Sequence, residues 1–274
     1  MNVLECGVSA FLYDPDIAQQ RIESEGCLYR VNSVSDIMLS PQDFLNAREM
    51  HSKEAAIVFD EGGNLADNRL FRGMVYCFLT QMQDYATQVR VFDSLLSENL
   101  VSPENVLSNK ERFEEILVKI NYHDEKARYV YKLAESWDGP QIYSDILAGV
   151  GKGKEKEVLL RKEFVKDILG FKEKTASLFL RMCGAEYLIP IDTIMAGVLY
   201  LHGYPVEIKR FKADRKDEGK KHKKRKVSIS GGNYSTFESF AFDLAEKYSV
   251  PGYLLHLAFW TKKSTASKFF KNNL

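Results

Sequence analysis

Net charge is missing from this 274-residue sequence. Its 38 Lys and Arg are matched by 38 Asp and Glu. Any affinity for nucleic acid therefore has to come from where the charges sit, not from their sum. Paired cysteines are missing too. Cys6, Cys27, Cys77 and Cys183 stand far apart, with no Cys-x-x-Cys among them. That spacing argues against zinc and iron–sulfur sites, and the chain's size argues against a disulfide framework. His51, His123, His202, His222 and His256 share no metal-ligand spacing and are read as structural, so no metal and no other cofactor is expected. No apolar run reaches the roughly eighteen residues of a membrane span. The opening "MNVLECGVSAFLYD" contains Glu5 and Asp14 and has no basic segment ahead of an apolar stretch, which is not the pattern of a secretion signal. There is no internal repeat. These absences describe an intracellular protein without a membrane partner. Its hydrophobic share of 45% and charged share of 28% are those of an ordinary globular chain.

What is present is mostly helical periodicity. Residues 1–67 are the least regular part, and "CLYRVNSVSDIML" and "AAIVFDEGG" read as short strands, the second ending in a turn at Glu61-Gly62-Gly63. From Asn68 the pattern becomes helical, with Leu70, Met74, Phe78, Leu79, Met82 and Tyr85 at three- and four-residue spacing. Ser102-Pro103 starts another helix, since Ser caps and Pro suits the first helical position. Further helices are expected over 109–117, 124–136, 140–148, 157–169, 173–184 and 192–201, then 234–248 and 251–270. Between the last two groups lies "KRFKADRKDEGKKHKKRK" (209–226), with eleven basic and three acidic residues. This basic insertion, 205–233, is read as a flexible loop that either grips DNA non-specifically or is simply solvated. The expected division is a 68–204 core, that insertion, and C-terminal helices over 234–274.

One stretch carries chemistry. "GFKEKTASLFLRMCGAEYLIPIDTI" (170–194) follows an amphipathic helix, so two helices meet at a tight break around Gly170-Phe171-Lys172. A turn leading into a helix points backbone N–H groups outward, and the helix dipole adds positive potential, which suits a phosphate. Lys174 then stands one turn into the helix beside apolar neighbours. It is either a solvated helix lysine or an amine desolvated enough to act as a nucleophile. Pro190 biases Ile189 toward extended backbone and brings Asp192 to a helix start. There Asp is a favoured cap, and a capping carboxylate is also held rigidly enough to stabilise a cation.

These elements, in this order, resemble the helix-hairpin-helix DNA glycosylases of the HhH-GPD superfamily. The resemblance is nearest to the lysine-bearing 8-oxoguanine DNA glycosylase/AP lyases of the compact prokaryotic type. "KTASLFLRMCG" is similar to that type's K-x-A-S-x-F-L-R-x-x-G, and the interval of eighteen from Lys174 to Asp192 is similar as well. The likeness spans about 68–204. "FRGMVYCFLTQMQDYATQV" resembles the family's helix with an L-x-x-Q segment, and "KINYHDEKARYVYKLAES" its F-x-N-K-A-x-Y-I-type helix. Two departures stand out. The family's hairpin has Gly-x-Gly where this chain has Gly170-Phe171-Lys172, and only Pro190 represents its Gly/Pro-rich stretch before the acid.

The resemblance implies a mainly α, two-lobed helical HhH-GPD fold with a short stranded N-terminal segment. It implies a monomer that flips a damaged nucleotide out of duplex DNA during base excision repair. Lys174 would attack the sugar C1′ and Asp192 would stabilise the developing cation. Trp260, Leu178 and Phe259 would form the base pocket. Gln81, Met82 or Gln83 would fill the gap in the duplex, with core packing the more ordinary role for Met82. Gly170, Phe171 and Lys172 would bind phosphate. A glycosylase for another damaged base, or a hairpin module that binds DNA without catalysis, are the competing readings.

Overall fold

Several helices in this chain begin where a short polar side chain can take the place of a missing backbone acceptor. Asp84 accepts from the Thr87 N–H, Ser102 from Asn105, Asp138 from Gln141, and Asp192 from Ile194 and Met195. The computed structural model describes residues 38–81, 84–205, 208–210, 225–227 and 233–263. In chain order its helices are α1 (Pro41–Val58), α2 (Asp67–Leu79), α3 (Tyr85–Ser97), α4 (Pro103–Ser108), α5 (Lys110–Leu117), α6 (His123–Glu135) and α7 (Gly139–Gly149). They continue with α8 (Lys154–Asp167), α9 (Glu173–Met182), α10 (Thr193–Leu201), α11 (Tyr234–Lys247) and α12 (Gly252–Lys263). Between α10 and α11 lie two short strands, β1 (Ile208–Arg210) and β2 (Arg225–Val227). The protein is mainly α, as the sequence implied.

Two compact units emerge, dividing the chain after Arg48 and after Pro190. These divisions do not coincide with the boundaries at 67, 204 and 233 read from composition. In the unit Glu49–Pro190, α2 is the central helix and packs on α6, α7 and α9. Its Leu70, Met74 and Phe78 are fully buried, and each such side chain contributes roughly 1.5–3 kcal/mol of burial. Gly73 lets α1 and α9 both approach α2, because a Cβ there would lie 2.4 Å from Val58 Cγ1 of α1 and 3.2 Å from the Phe179 ring of α9. Phe164 of α8 and Phe179 of α9 pack 5.7 Å apart. In the unit containing Ile191–Lys263, α10 packs on α11 and α12, and Phe44 at the start of α1 meets Tyr248 at 6.4 Å.

Several local readings change. "AAIVFDEGG" is not a strand. Its first residues finish α1, because Val58 is buried under α2 and apolar packing overrides β-branched propensity. Only Phe59 then pairs, as an isolated bridge to Leu65 across the expected glycine turn. "CLYRVNSVSDIML" lies almost wholly outside the described residues. Helix α1 itself went unread, although Ser40 and Asp43 form a reciprocal cap: the Ser40 N–H donates to Asp43 at 2.7 Å and the Asp43 N–H to Ser40 Oγ at 3.3 Å. The long helical pattern from Asn68 is two helices, since Asp84 starts α3 afresh. The basic insertion begins and ends as an antiparallel ribbon, pairing Lys209 with Lys226 and Arg210 with Arg225. Residues 211–224 lie outside the described residues, and so does the end of the last helix expected beyond Lys263.

Candidate active site

The hairpin is built by α8, a turn and α9. The Phe171 N–H donates to the Ile168 carbonyl at 3.0 Å, closing the turn around Gly170. Gly170 has φ +89°, and a Cβ at this position would fall 2.5 Å from the Tyr129 ring. Glycine is therefore required twice here, by backbone conformation and by the close approach of α6. Phe171 anchors the turn from below, packing at 5.1 Å on Phe78. Lys172, which stands where the family has its second glycine, caps α9 in extended backbone with φ −122° and ψ 173°. Any residue adopts that conformation, so this departure from Gly-x-Gly places no strain on the turn. Lys172 is exposed and offers no side-chain cap to α9, so the helix start presents its first amides beside a cation, with Glu173 as the acidic neighbour.

Lys174 is the second residue of α9 and half-buried, while Thr175, Ala176, Ser177 and Leu178 after it are buried. The helix is locked to its surroundings by polar contacts as well as by Phe179. Arg161 of α8 donates to Ser177 Oγ at 3.1 Å. The Arg181 guanidinium is fully buried and forms an ion pair with Glu54. Burial pushes the Glu54 carboxyl up, opposed by Arg181 and by a hydrogen bond from Tyr76. His51 is pushed down to about 4, first by burial and then by the Arg181 charge.

Gln81 reaches the hairpin directly. Its side-chain Nε2 donates to the Gly170 carbonyl and to Thr175 Oγ1, both at 3.3 Å. Met82 and Gln83, the other two candidates for the gap-filling role, lie outside the described residues. The Gln81 carbonyl in turn accepts from Lys126 Nζ at 2.7 Å. Sequence reasoning passed over Lys126. The available signal was its position on the stripe shared with Val130 and Leu133, where a lysine is out of place unless it has partners. Glu157 was also passed over. It is buried and accepts from the backbone N–H groups of Gly151, Glu186 and Tyr187 at 3.0, 3.1 and 2.7 Å, tying two loops together.

Asp192 belongs to the other unit. Its Oδ1 accepts from the Ile194 and Met195 N–H groups at 3.0 and 2.9 Å, the capping geometry expected from Pro190-Ile191-Asp192. The preceding Ile191 N–H donates to the Tyr234 hydroxyl at 3.0 Å. On α12 of the same unit, Trp260 is half-buried, whereas Phe259 is fully buried between His202 and Tyr248. Phe259 therefore packs the unit's interior, while Trp260 keeps part of its surface accessible. A cleft of about 420 Å³ in the unit Glu49–Pro190 is lined by Ile57, Arg72, Tyr76, Tyr85 and Phe92 among others, and none of the expected site residues lines it. Among the described residues no cluster of three His, Cys, Asp or Glu could hold a metal ion, and no helix is long and apolar enough to cross a membrane.

The family model for 8-oxoguanine DNA glycosylase matches residues 53–221, more than half of the chain. No curated protein matches. Among solved structures, the Methanocaldococcus jannaschii 8-oxoguanine glycosylase/lyase bound to a 15mer DNA containing 8-oxoguanine is similar with a TM-score of 0.56 and 20% identity, over 78% of this chain and 89% of that one. A structure of the 8-oxoguanine DNA glycosylase of the same organism gives 0.54 and 19%, over 78% and 86%. The 8-oxoguanine DNA glycosylase of Thermotoga maritima gives 0.53 and 18%, over 80% and 91%. At these identities the structural likeness establishes the fold.

Proposed function

The chain belongs to the 8-oxoguanine DNA glycosylase family, and from that premise we propose that it excises 8-oxoguanine from duplex DNA and then nicks the strand, acting as a monomer. The observation that carries this reading is Lys174 at the second position of a helix that opens from a glycine turn, within the stretch matched to the family.

The target nucleotide has to leave the stack before a side chain can reach its sugar. The neutral amine of Lys174 attacks C1′, and the bond from C1′ to the base breaks. The base leaves with that electron pair and takes up a proton. The nitrogen loses a proton, the sugar ring opens, and an iminium joins Lys174 to C1′. That cation acidifies the C2′ proton. Its removal moves the electron pair toward C3′ and expels the 3′ phosphate by β-elimination. Asp192, held by two backbone N–H groups, supplies negative charge to the cationic sugar and assists proton transfer. The Gly170 and Lys172 N–H groups, with the Lys172 ammonium, receive a phosphate at the turn that Phe171 closes and anchors. Trp260 stacks on the flipped base, and Leu178 is the second residue proposed to touch it. Gln81, Met82 or Gln83 fills the gap left in the duplex. The basic run from Lys209 to Lys226 adds non-specific grip.

Borohydride reduction tests the proposal. Wild-type protein incubated with an 8-oxoguanine duplex is expected to form a covalent adduct, and Lys174→Gln to form none while still binding the duplex. A Lys174→Gln variant that traps and nicks like the wild type rules the mechanism out. Adduct formation with a different lesion only, in a panel of single-lesion duplexes, reassigns the substrate.

A further inference from the structure

Helix α6 makes two separate attachments to the hairpin. The first is direct: the Tyr129 ring lies against Gly170, so closely that no Cβ fits between them. The second runs through Gln81. Lys126, three residues before Tyr129 on α6, is 1% exposed. Its Nζ donates to the Leu79 carbonyl at 3.3 Å and to the Gln81 carbonyl at 2.7 Å. The Gln81 side chain then donates to the Gly170 carbonyl and to Thr175 Oγ1. Gly170 begins the turn before Lys174, and Thr175 is the residue after it.

A lysine that only finished α2 would have no need of Gln81. The Cys77 carbonyl already accepts from the Thr80 N–H at 3.3 Å and from Thr80 Oγ1 at 2.7 Å, and the Phe78 carbonyl from the Gln81 N–H at 3.5 Å. Leu79 would be the next carbonyl in that series. The shorter of the two Lys126 contacts is made two residues further on, to a residue beyond the helix. A buried cation is costly unless its donors are used, and these two carbonyls are the use the structure gives it. Once its backbone is fixed, the Gln81 amide spans both ends of the segment that carries Lys174. A side chain that had to find both acceptors from a mobile backbone would lose rotamer and backbone entropy on each attempt.

We propose that Lys126 is a positioning residue for the hairpin: by fixing the Gln81 backbone it lets the Gln81 amide clamp Gly170 to Thr175, and so sets the placement of Lys174. This rests on the assignment of Lys174 as the nucleophile. Its consequence is that the loop after α2 holds the hairpin in the DNA-free protein, apart from any role in filling the duplex gap.

The test uses the full chain and the variants Lys126→Met, Gln81→Met and the double variant. Amide hydrogen exchange of the DNA-free protein is followed over 168–176. Single-turnover excision and duplex Kd are measured with an 8-oxoguanine duplex. Each single variant is expected to raise exchange over 168–176 by about tenfold and to slow excision by about 10–100-fold, and Lys126→Met to change Kd less than about threefold. The double variant should be no worse than the poorer single one, since both act through one clamp. Gln81→Met, a change at a half-buried side chain, keeps the proposal testable if Lys126→Met fails to fold. Unchanged exchange over 168–176 in Gln81→Met overturns the proposal, even where excision slows, because a residue acting only on DNA gives that pattern. Additive losses in the double variant overturn it as well. If wild-type protein neither excises nor traps, the assignment of Lys174 fails, while the exchange result still decides the clamp.

Discussion

Removing Arg181 should damage the protein in a way that depends on pH. The Arg181 side chain is fully buried near the end of α9, and its guanidinium pairs with Glu54 of α1, 127 positions earlier. Arg181→Met preserves most of the volume but leaves a carboxylate in the interior without its cation. Breaking one side of a buried pair costs about 3–5 kcal/mol, a large part of the 5–15 kcal/mol that holds a typical domain together. The carboxyl of Glu54 is already raised from 4.5 by burial, against the pull of Arg181. Without Arg181 it rises further. A carboxyl whose folded pKa lies above its unfolded value binds its proton more tightly when folded, so stability falls as pH climbs from about 4.5 through the raised pKa. The Arg181→Met deficit should therefore be smaller at pH 5 than at pH 8. Adding Glu54→Leu should recover most of it, since replacing both partners by apolar groups is often neutral. In the same variant His51 should move part way from about 4 toward its ordinary 6.5, because Arg181 is only the second cause of its depression. Urea denaturation at both pH values, with imidazole titration by NMR, measures all three. A deficit below about 1 kcal/mol, or one equal at the two pH values, refutes the reasoning.

Other positions give simpler outcomes. Gly170→Ala must place a Cβ against the Tyr129 ring at φ +89°, so a loss of at least about 1–3 kcal/mol is expected in thermal unfolding. Lys172→Gly should be tolerated, costing under about 1 kcal/mol, because Lys172 is already extended and the glycine adds only chain entropy; duplex Kd measured against salt should show a shallower slope. Lys126 is pushed down from 10.5 to about 8 by burial. The folded protein therefore binds fewer protons than the unfolded chain between those values, and stability relative to Lys126→Met should rise by up to about 3 kcal/mol from pH 8 to pH 10.5. Denaturation at a series of pH values reads this difference directly.

The helical character, most helix starts, and the Gly170 turn were legible in the sequence because each depends on a few neighbouring residues. Ser102 with Pro103, and Asp192 after Pro190, cap their helices as local rules require. The match of "KTASLFLRMCG" to a glycosylase pattern is likewise local, and the family model agrees with it. Where local rules competed with packing they misled. Ile57-Val58-Phe59 has strand propensity, yet Val58 ends a helix because it fits beneath Gly73. Helix α1 has a legible cap at Ser40 and Asp43, but its weak apolar pattern concealed it.

By itself, then, the sequence determined most of the helical segments, where the hairpin bends, and which lysine and aspartate follow it. Propensity, capping and glycine conformation act over a few residues. Tertiary structure alone decided that Lys126 meets the Gln81 carbonyl 45 positions away, that Gln81 reaches Gly170 89 positions away, and that Lys172 needs no positive φ. The physical reason is burial. Whether a charged or polar side chain is a solvated ornament or a fixed contact depends on which groups replace the water it loses, and those groups come from distant parts of the chain.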